Sequence, residues 1–146
     1  MKLDDVLNER RSCRKYLKKK IGNDIAEQIL WAGERAPYAS GGPRRDVICV
    51  VGVLKDRLQK ACCNQRYVGE CSMAFVVCGK DERILKSGIA KHIHDCIACA
   101  MCMDLKAVDL GLGTCWIGHF RPEEVMELLG CEKPVIILLV GWRNDE

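Results

Sequence analysis

No stretch of this 146-residue chain approaches the roughly 20 consecutive apolar residues that a membrane span needs. Its opening, Met1-Lys2-Leu3-Asp4-Asp5, carries two acids and no apolar leader segment. The expected location is therefore cytoplasmic, with reduced thiols and no membrane partner. Internal repeats and low-complexity tracts are also missing, which excludes fibrous, solenoid and disordered classes. No phosphate loop and no Gly-x-Gly-x-x-Gly follows a strand, and no Ser-His-Asp or Cys-His arrangement is legible. The net charge of +3 is too small for a nucleic-acid binder. What is left is one domain, residues 1–146, with enough apolar sequence for a real core.

The charge that is present is concentrated. Residues 1–22 hold eight Lys/Arg against three acids, a net +5, which leaves −2 for the rest. Within that segment stands Arg10-Arg11-Ser12-Cys13-Arg14-Lys15-Tyr16. In an extended chain Arg10, Ser12 and Arg14 share one side. Two guanidinium forks and a hydroxyl on one side suit a phosphate group, although a solvated basic strip would have the same composition.

Periodicity outlines the elements. Leu3, Val6 and Leu7 mark a short helical face. A helix is expected from Asp24, its N-cap, with Ile25, Ile29 and Ala32 inward. Residues 36–43 are rich in Gly and Pro and form a loop. Apolar runs predict buried strands over 46–53, 73–78, 114–118 and 134–142. Helices are predicted over 54–64 and 94–111, the second buried on most faces as in a protein or dimer core. Pro122 and Gly130 bracket one more helix. This alternation argues for a layered α/β or α+β fold.

In this order, the motifs resemble the nitroreductase family of flavin oxidoreductases. The match rests on Arg10-Arg11-Ser12-Cys13-Arg14-Lys15-Tyr16, on Ala32-Gly33-Glu34-Arg35-Ala36-Pro37-Tyr38-Ala39-Ser40-Gly41-Gly42, on Gln65-Arg66-Tyr67-Val68, and on Asp95 opening the long helix. Asp109-Leu110-Gly111-Leu112-Gly113-Thr114-Cys115-Trp116-Ile117-Gly118 is its most specific part, and Val140-Gly141-Trp142 closes it. The resemblance implies an α+β three-layer fold, a mostly antiparallel sheet flanked by helices, in an intertwined homodimer with FMN at the interface. It implies that NADH or NADPH donates a hydride to flavin N5, and that a nitroaromatic, quinone or related small-molecule acceptor then takes its place. Arg10, Arg11, Ser12 and Arg14 become expected phosphate and ribityl ligands. Pro37, Tyr38, Ala39, Ser40 and Gly41 become the wall reaching the partner's flavin, and Trp116, Ile117 and Gly118 the segment along the ring. No catalytic acid or base and no metal ligand is assigned.

The chain also departs from the family. Gly41 or Gly42 stands where relatives carry Asn, and Pro43-Arg44-Arg45 replaces Gln-Pro-Trp, so Arg44 or Arg45 is a candidate for the flavin edge. Arg143 is expected to stand in for the basic residue that a longer C-terminus supplies in many relatives. The substrate pocket is expected to be open. A non-catalytic flavin-binding or electron-transfer protein is the alternative reading. Cys96, Cys99 and Cys102 have iron–sulfur-like spacing, but on a helix each step turns about 300°, so packing residues are the expectation. His92 and His94 are expected at the surface with Asp95 as helix N-cap, and His119 is a candidate for the site.

Overall fold

A computed structural model describes residues 1–145. Four strands form one antiparallel sheet in the order β1-β2-β4-β3: β1 is Arg45–Val50, β2 Met73–Gly79, β3 Gly113–Ile117 and β4 Pro134–Gly141. The two central strands are the near-continuous apolar runs, and β2 is buried along its whole length. A strand with helices on both faces has no polar side to present, so alternation disappears from its sequence.

Helices α2 (Asn23–Glu34) and α5 (Lys91–Asp109) cover one face. They enclose Ile29, Phe75, Met103, Leu138 and Val140. Gly33 makes the α2–α5 approach close: a Cβ there would lie 2.8 Å from Met103 Cγ. Helices α3 (Val53–Ala61), α4 (Arg66–Glu70) and α6 (Pro122–Leu129) cover the other face, around Leu58, Val68, Val76, Val125 and Ile137. Each fully buried large side chain stabilises the fold by about 1.5–3 kcal/mol. The short α1 (Leu3–Glu9) leans on α5. Among the described residues no helix is long and apolar enough to cross a membrane.

Several boundaries move. The first predicted strand stops at Val50, because Gly52 turns with φ +63° and Val53 already opens α3. Helix α2 starts at Asn23 with Gly22 as its N-cap, two residues before the expected cap, so Asp24 lies within its first turn. Of Leu3, Val6 and Leu7 only Val6 is buried. Helix α5 starts at Lys91, capped by Ala90, which places Asp95 in its second turn. There Asp95 is buried in an ion pair with Lys91, so it is neither a helix cap nor a surface group. Pro122 opens α6, and Gly130 ends it with φ +65°, the left-handed conformation that glycine adopts without strain.

Candidate functional site

Residues 10–17 run along the outer end of the sheet and are stitched to it. The Cys13 N–H donates to Thr114 O at 2.7 Å, Leu17 N–H to Trp142 O at 2.9 Å, and Asn144 N–H to Lys15 O at 3.0 Å. The Tyr16 hydroxyl donates to Cys13 O at 2.7 Å, and its ring lies where a Gly141 Cβ would point, 2.6 Å from Cδ1. Burial raises the Tyr16 phenol far above its ordinary range, so it stays a neutral donor. Gly113 allows the crossing: a Cβ there would sit 2.5 Å from Arg143 Cγ and 2.7 Å from Cys13 Sγ.

This stitching holds four arginines around one end of β3. Arg10 ends α1, with its guanidinium 3.7 Å from Asp104. Arg11 is exposed and reaches Asp145 at 3.1 Å. Arg14 is exposed and lies over the Tyr67 ring, 5.8 Å from its centroid, with no carboxylate partner among the described residues. Arg143 sits 3.4 Å from both Glu9 and Asp145. Ser12 is exposed and pairs with Thr114 through its backbone. Arg10, Arg11, Ser12, Arg14 and Arg143 thus gather beside β3, but Arg10 and Arg14 are held by groups from opposite faces of the sheet.

The ring-side segment is equally defined. Trp116 donates its indole N–H to Asp104 at 2.7 Å, and Ile117 is buried. Gly118 is exposed, and a Cβ there would meet only Ile136 Cδ1, at 4.0 Å. The fold itself does not need a glycine at this position. His119 is also exposed, and its carbonyl accepts from Gln65.

The 37–41 loop lies elsewhere in the chain. The Ala39 N–H donates to Asp95 at 2.8 Å, and Lys91 Nζ donates to Gly42 O at 3.1 Å. Asp95 and Asp104 are nine residues apart on α5, about 13 Å along the helix axis. Pro37, Tyr38, Ala39, Ser40 and Gly41 therefore stand apart from Arg10, the arginine that Asp104 holds in the same chain. Gly41 has φ +106°, and a Cβ would come within 2.2 Å of Arg83 Nη2, so a side chain there would be strained and would displace the Arg83 guanidinium.

Arg45 is a structural tie. Its Nη1 donates to Pro37 O at 3.0 Å and Asp95 O at 2.7 Å, and its Nη2 to Gly33 O at 3.3 Å and Ala36 O at 2.7 Å. With those bonds made, it fastens the loop and the α2 end to α5. Cys96 and Cys99 are packing residues within the core. Burial pushes the Cys62, Cys71 and Cys96 thiols up to about 12, the opposite of an activated nucleophile.

Asp104 and Lys91 have no legible signal in the sequence as parts of this site. Asp104 is, in the sequence, one polar residue on an apolar helix; only the packing of β3 against α5 gives it Thr114 and Trp116 as partners.

A four-stranded antiparallel sheet with helices on both faces, and a cluster of arginines at one strand edge, defines an α+β three-layer domain. The nitroreductase family model matches residues 7–91 and 86–142, and the chain belongs to the nitroreductase family. A protein of Archaeoglobus fulgidus with the provisional name NADH dehydrogenase/NAD(P)H nitroreductase is 30% identical over 97% of this chain and 85% of its own length. The crystal structure of a nitroreductase family protein from Clostridium novyi superimposes with a TM-score of 0.92 at 24% identity, covering 99% of this chain and 87% of the other. One from Clostridium difficile gives 0.88 at 24% identity, over 100% and 87%.

Proposed function

We propose that the protein is an FMN-dependent oxidoreductase that takes electrons from NADH or NADPH and delivers them to a small acceptor such as a nitroaromatic or a quinone. The observation that carries this reading is the junction of the arginine segment with β3. It brings an exposed Arg14, with no carboxylate partner among the described residues, and the Ser12 hydroxyl beside a strand followed by Gly118, a glycine its own chain does not require. That donor set fits a phosphate dianion at one end and a flat ring against backbone at the other.

Arg14 and Arg10 would bind the phosphate, with Ser12 donating a hydroxyl and Arg11 and Arg143 adding screened positive charge. Trp116, Ile117 and Gly118 would form the surface along the ring. Flavin supplies the redox chemistry: a ring nitrogen able to accept a hydride from the nicotinamide and return the electrons in a separate half-reaction. The chain's own part is binding, orientation and exclusion of water.

The same reading includes a homodimer. Ile93 and Ile97 on α5 are 47% and 37% exposed, and Leu3 and Leu7 on α1 are 64% and 51% exposed. Apolar side chains left open on the helices beside the site are what a second copy would cover. The separation of the 37–41 loop from the Arg10 cluster of its own chain supports a loop that serves the partner's site.

The test is reconstitution of purified protein with FMN, followed by its visible absorbance, its mass in solution and the steady-state oxidation of NADH and NADPH. Yellow dimer that turns over either nucleotide is expected. Flavin that neither nucleotide reduces would replace this reading with a non-catalytic flavin-binding or electron-transfer protein.

A further inference from the structure

Asp104 is fully buried, with a side-chain exposure of 0%. Thr114 Oγ1 donates to its Oδ1 at 2.5 Å, and Trp116 Nε1 donates to its Oδ2 at 2.7 Å. Its only cationic neighbour within ion-pair distance among the described residues is Arg10, at 3.7 Å. Thr114 is buried as well, whereas the Arg10 side chain is one-third exposed. One carboxylate on α5 thus touches the first arginine of the candidate cradle and two side chains of β3, one of them in the candidate ring segment.

A buried carboxylate needs partners for its lone pairs, and neutral donors alone leave its charge uncompensated. Arg10 supplies the missing charge. The converse also holds: Arg10 is a long, flexible side chain at a helix end, and a fixed buried anion is what orders it.

We propose that Asp104 is a positioning residue for FMN binding. It sets Arg10 for the phosphate and locks Trp116 for the ring, so that both ends of the site are built from one buried group. This role rests on the FMN reading of the site and adds to it a residue that lies outside the family's motifs.

Two effects oppose each other when Asp104 becomes neutral. Arg10 gains free charge, which would favour phosphate, but in a side chain one-third exposed that gain is screened by water. Arg10 also loses its anchor and must be ordered by the ligand, and for a side chain with as many rotamers as arginine this ordering cost outweighs the screened gain. The net result is weaker phosphate binding.

The experiment compares FMN with riboflavin, which lacks the phosphate, by titrating flavin-free protein and following flavin fluorescence. In Asp104→Asn the preference for FMN over riboflavin is expected to fall about fivefold. Arg10→Ala is expected to show the same fall, and the double variant no further fall, because both act through one guanidinium. In 15N-labelled flavin-free protein, the indole N–H signal of Trp116, assigned by its loss in Trp116→Phe, is expected to move in Asp104→Asn. Should Asp104→Asn not fold, Thr114→Val carries the test by removing one anchor of the carboxylate without touching either charge. A fall of about twofold to threefold is then expected, and an unchanged preference overturns the inference.

A purely structural role would weaken both flavins equally. An unchanged FMN preference in folded Asp104→Asn, or additive losses in the double variant, would overturn the inference while leaving the FMN reading intact. Wild-type protein that binds neither flavin would overturn both.

Discussion

Lys91 and Asp95 form an ion pair one helical turn apart on α5, with side-chain exposures of 0% and 2%. The pair is not isolated: Lys91 also donates to Gly42 O, and Asp95 accepts the Ala39 N–H. Both ends of the pair therefore hold the loop proposed to face the partner's flavin. Lys91→Met would leave Asp95 buried without its cation, at a cost of about 3–5 kcal/mol. The double replacement Lys91→Met/Asp95→Leu should cost less, because no orphan charge remains. Urea unfolding of the three proteins checks this, and equal costs would refute it.

Acid should loosen the same loop. Burial by itself would raise the Asp95 carboxyl, but Lys91, the Ala39 N–H and His94 together hold it below the ordinary 3.8. A carboxyl lowered by folding adds stability above its unfolded value, and that stability is lost as pH falls through the folded one. Urea midpoints should therefore drop from about pH 5 to about pH 3, with a shallower slope in Lys91→Met/Asp95→Leu. Identical slopes would remove Asp95 as the cause.

Arg14 and Arg11 should separate. Arg14 has no carboxylate among the described residues to compete with a phosphate, whereas Arg11 already reaches Asp145. Arg14→Ala is expected to weaken FMN binding by about 1.5–3 kcal/mol, roughly tenfold to a hundredfold, so that flavin is lost on purification. Arg11→Ala should cost under about 1 kcal/mol. Flavin content after gel filtration measures both, and full retention by the Arg14 variant would refute the cradle.

Two glycines should part in a similar way. A Cβ at Gly113 would collide with Arg143 and Cys13, so Gly113→Ala should destabilise the fold by about 1–3 kcal/mol. Gly118→Ala would meet only Ile136 Cδ1, at 4.0 Å, and should leave the melting temperature unchanged or slightly raised. The same methyl should lower FMN affinity about tenfold by crowding the bound ring. Undiminished flavin binding by folded Gly118→Ala would place the ring elsewhere.

The cysteines should be mostly silent. Cys49 is exposed, while Cys62, Cys71, Cys78, Cys96, Cys99 and Cys115 are buried. Brief alkylation near pH 8 followed by mass spectrometry should label Cys49 ahead of those six, and unfolding should release all eleven. Rapid labelling of Cys96 or Cys99 in native protein would contradict their place in the core.

Much of the fold was legible from local pattern. The runs at 73–78 and 134–142 read as buried strands because a strand covered on both faces must be apolar throughout. Pro122 and Gly130 marked α6 because each has a backbone reason to stand there. Asp95 was misread because an acid near a helix start has the composition of a cap; its burial depends on Lys91, one turn earlier. Arg45 read as a candidate flavin contact, yet four carbonyls from the α2 end, the following loop and α5 engage both its Nη1 and its Nη2.

The order of its motifs was enough to place the chain in its family, and its apolar runs were enough to define its central strands. Both are local properties, carried by neighbouring residues and by the periods of helix and strand. Only the tertiary structure decided which charges meet. Arg10 and Asp104 are 94 residues apart in sequence and 3.7 Å apart in space, and neither residue's surroundings in the chain announce the other. Electrostatic partnership depends on distance and burial, and both are set by how β3, α5 and the N-terminal segment pack.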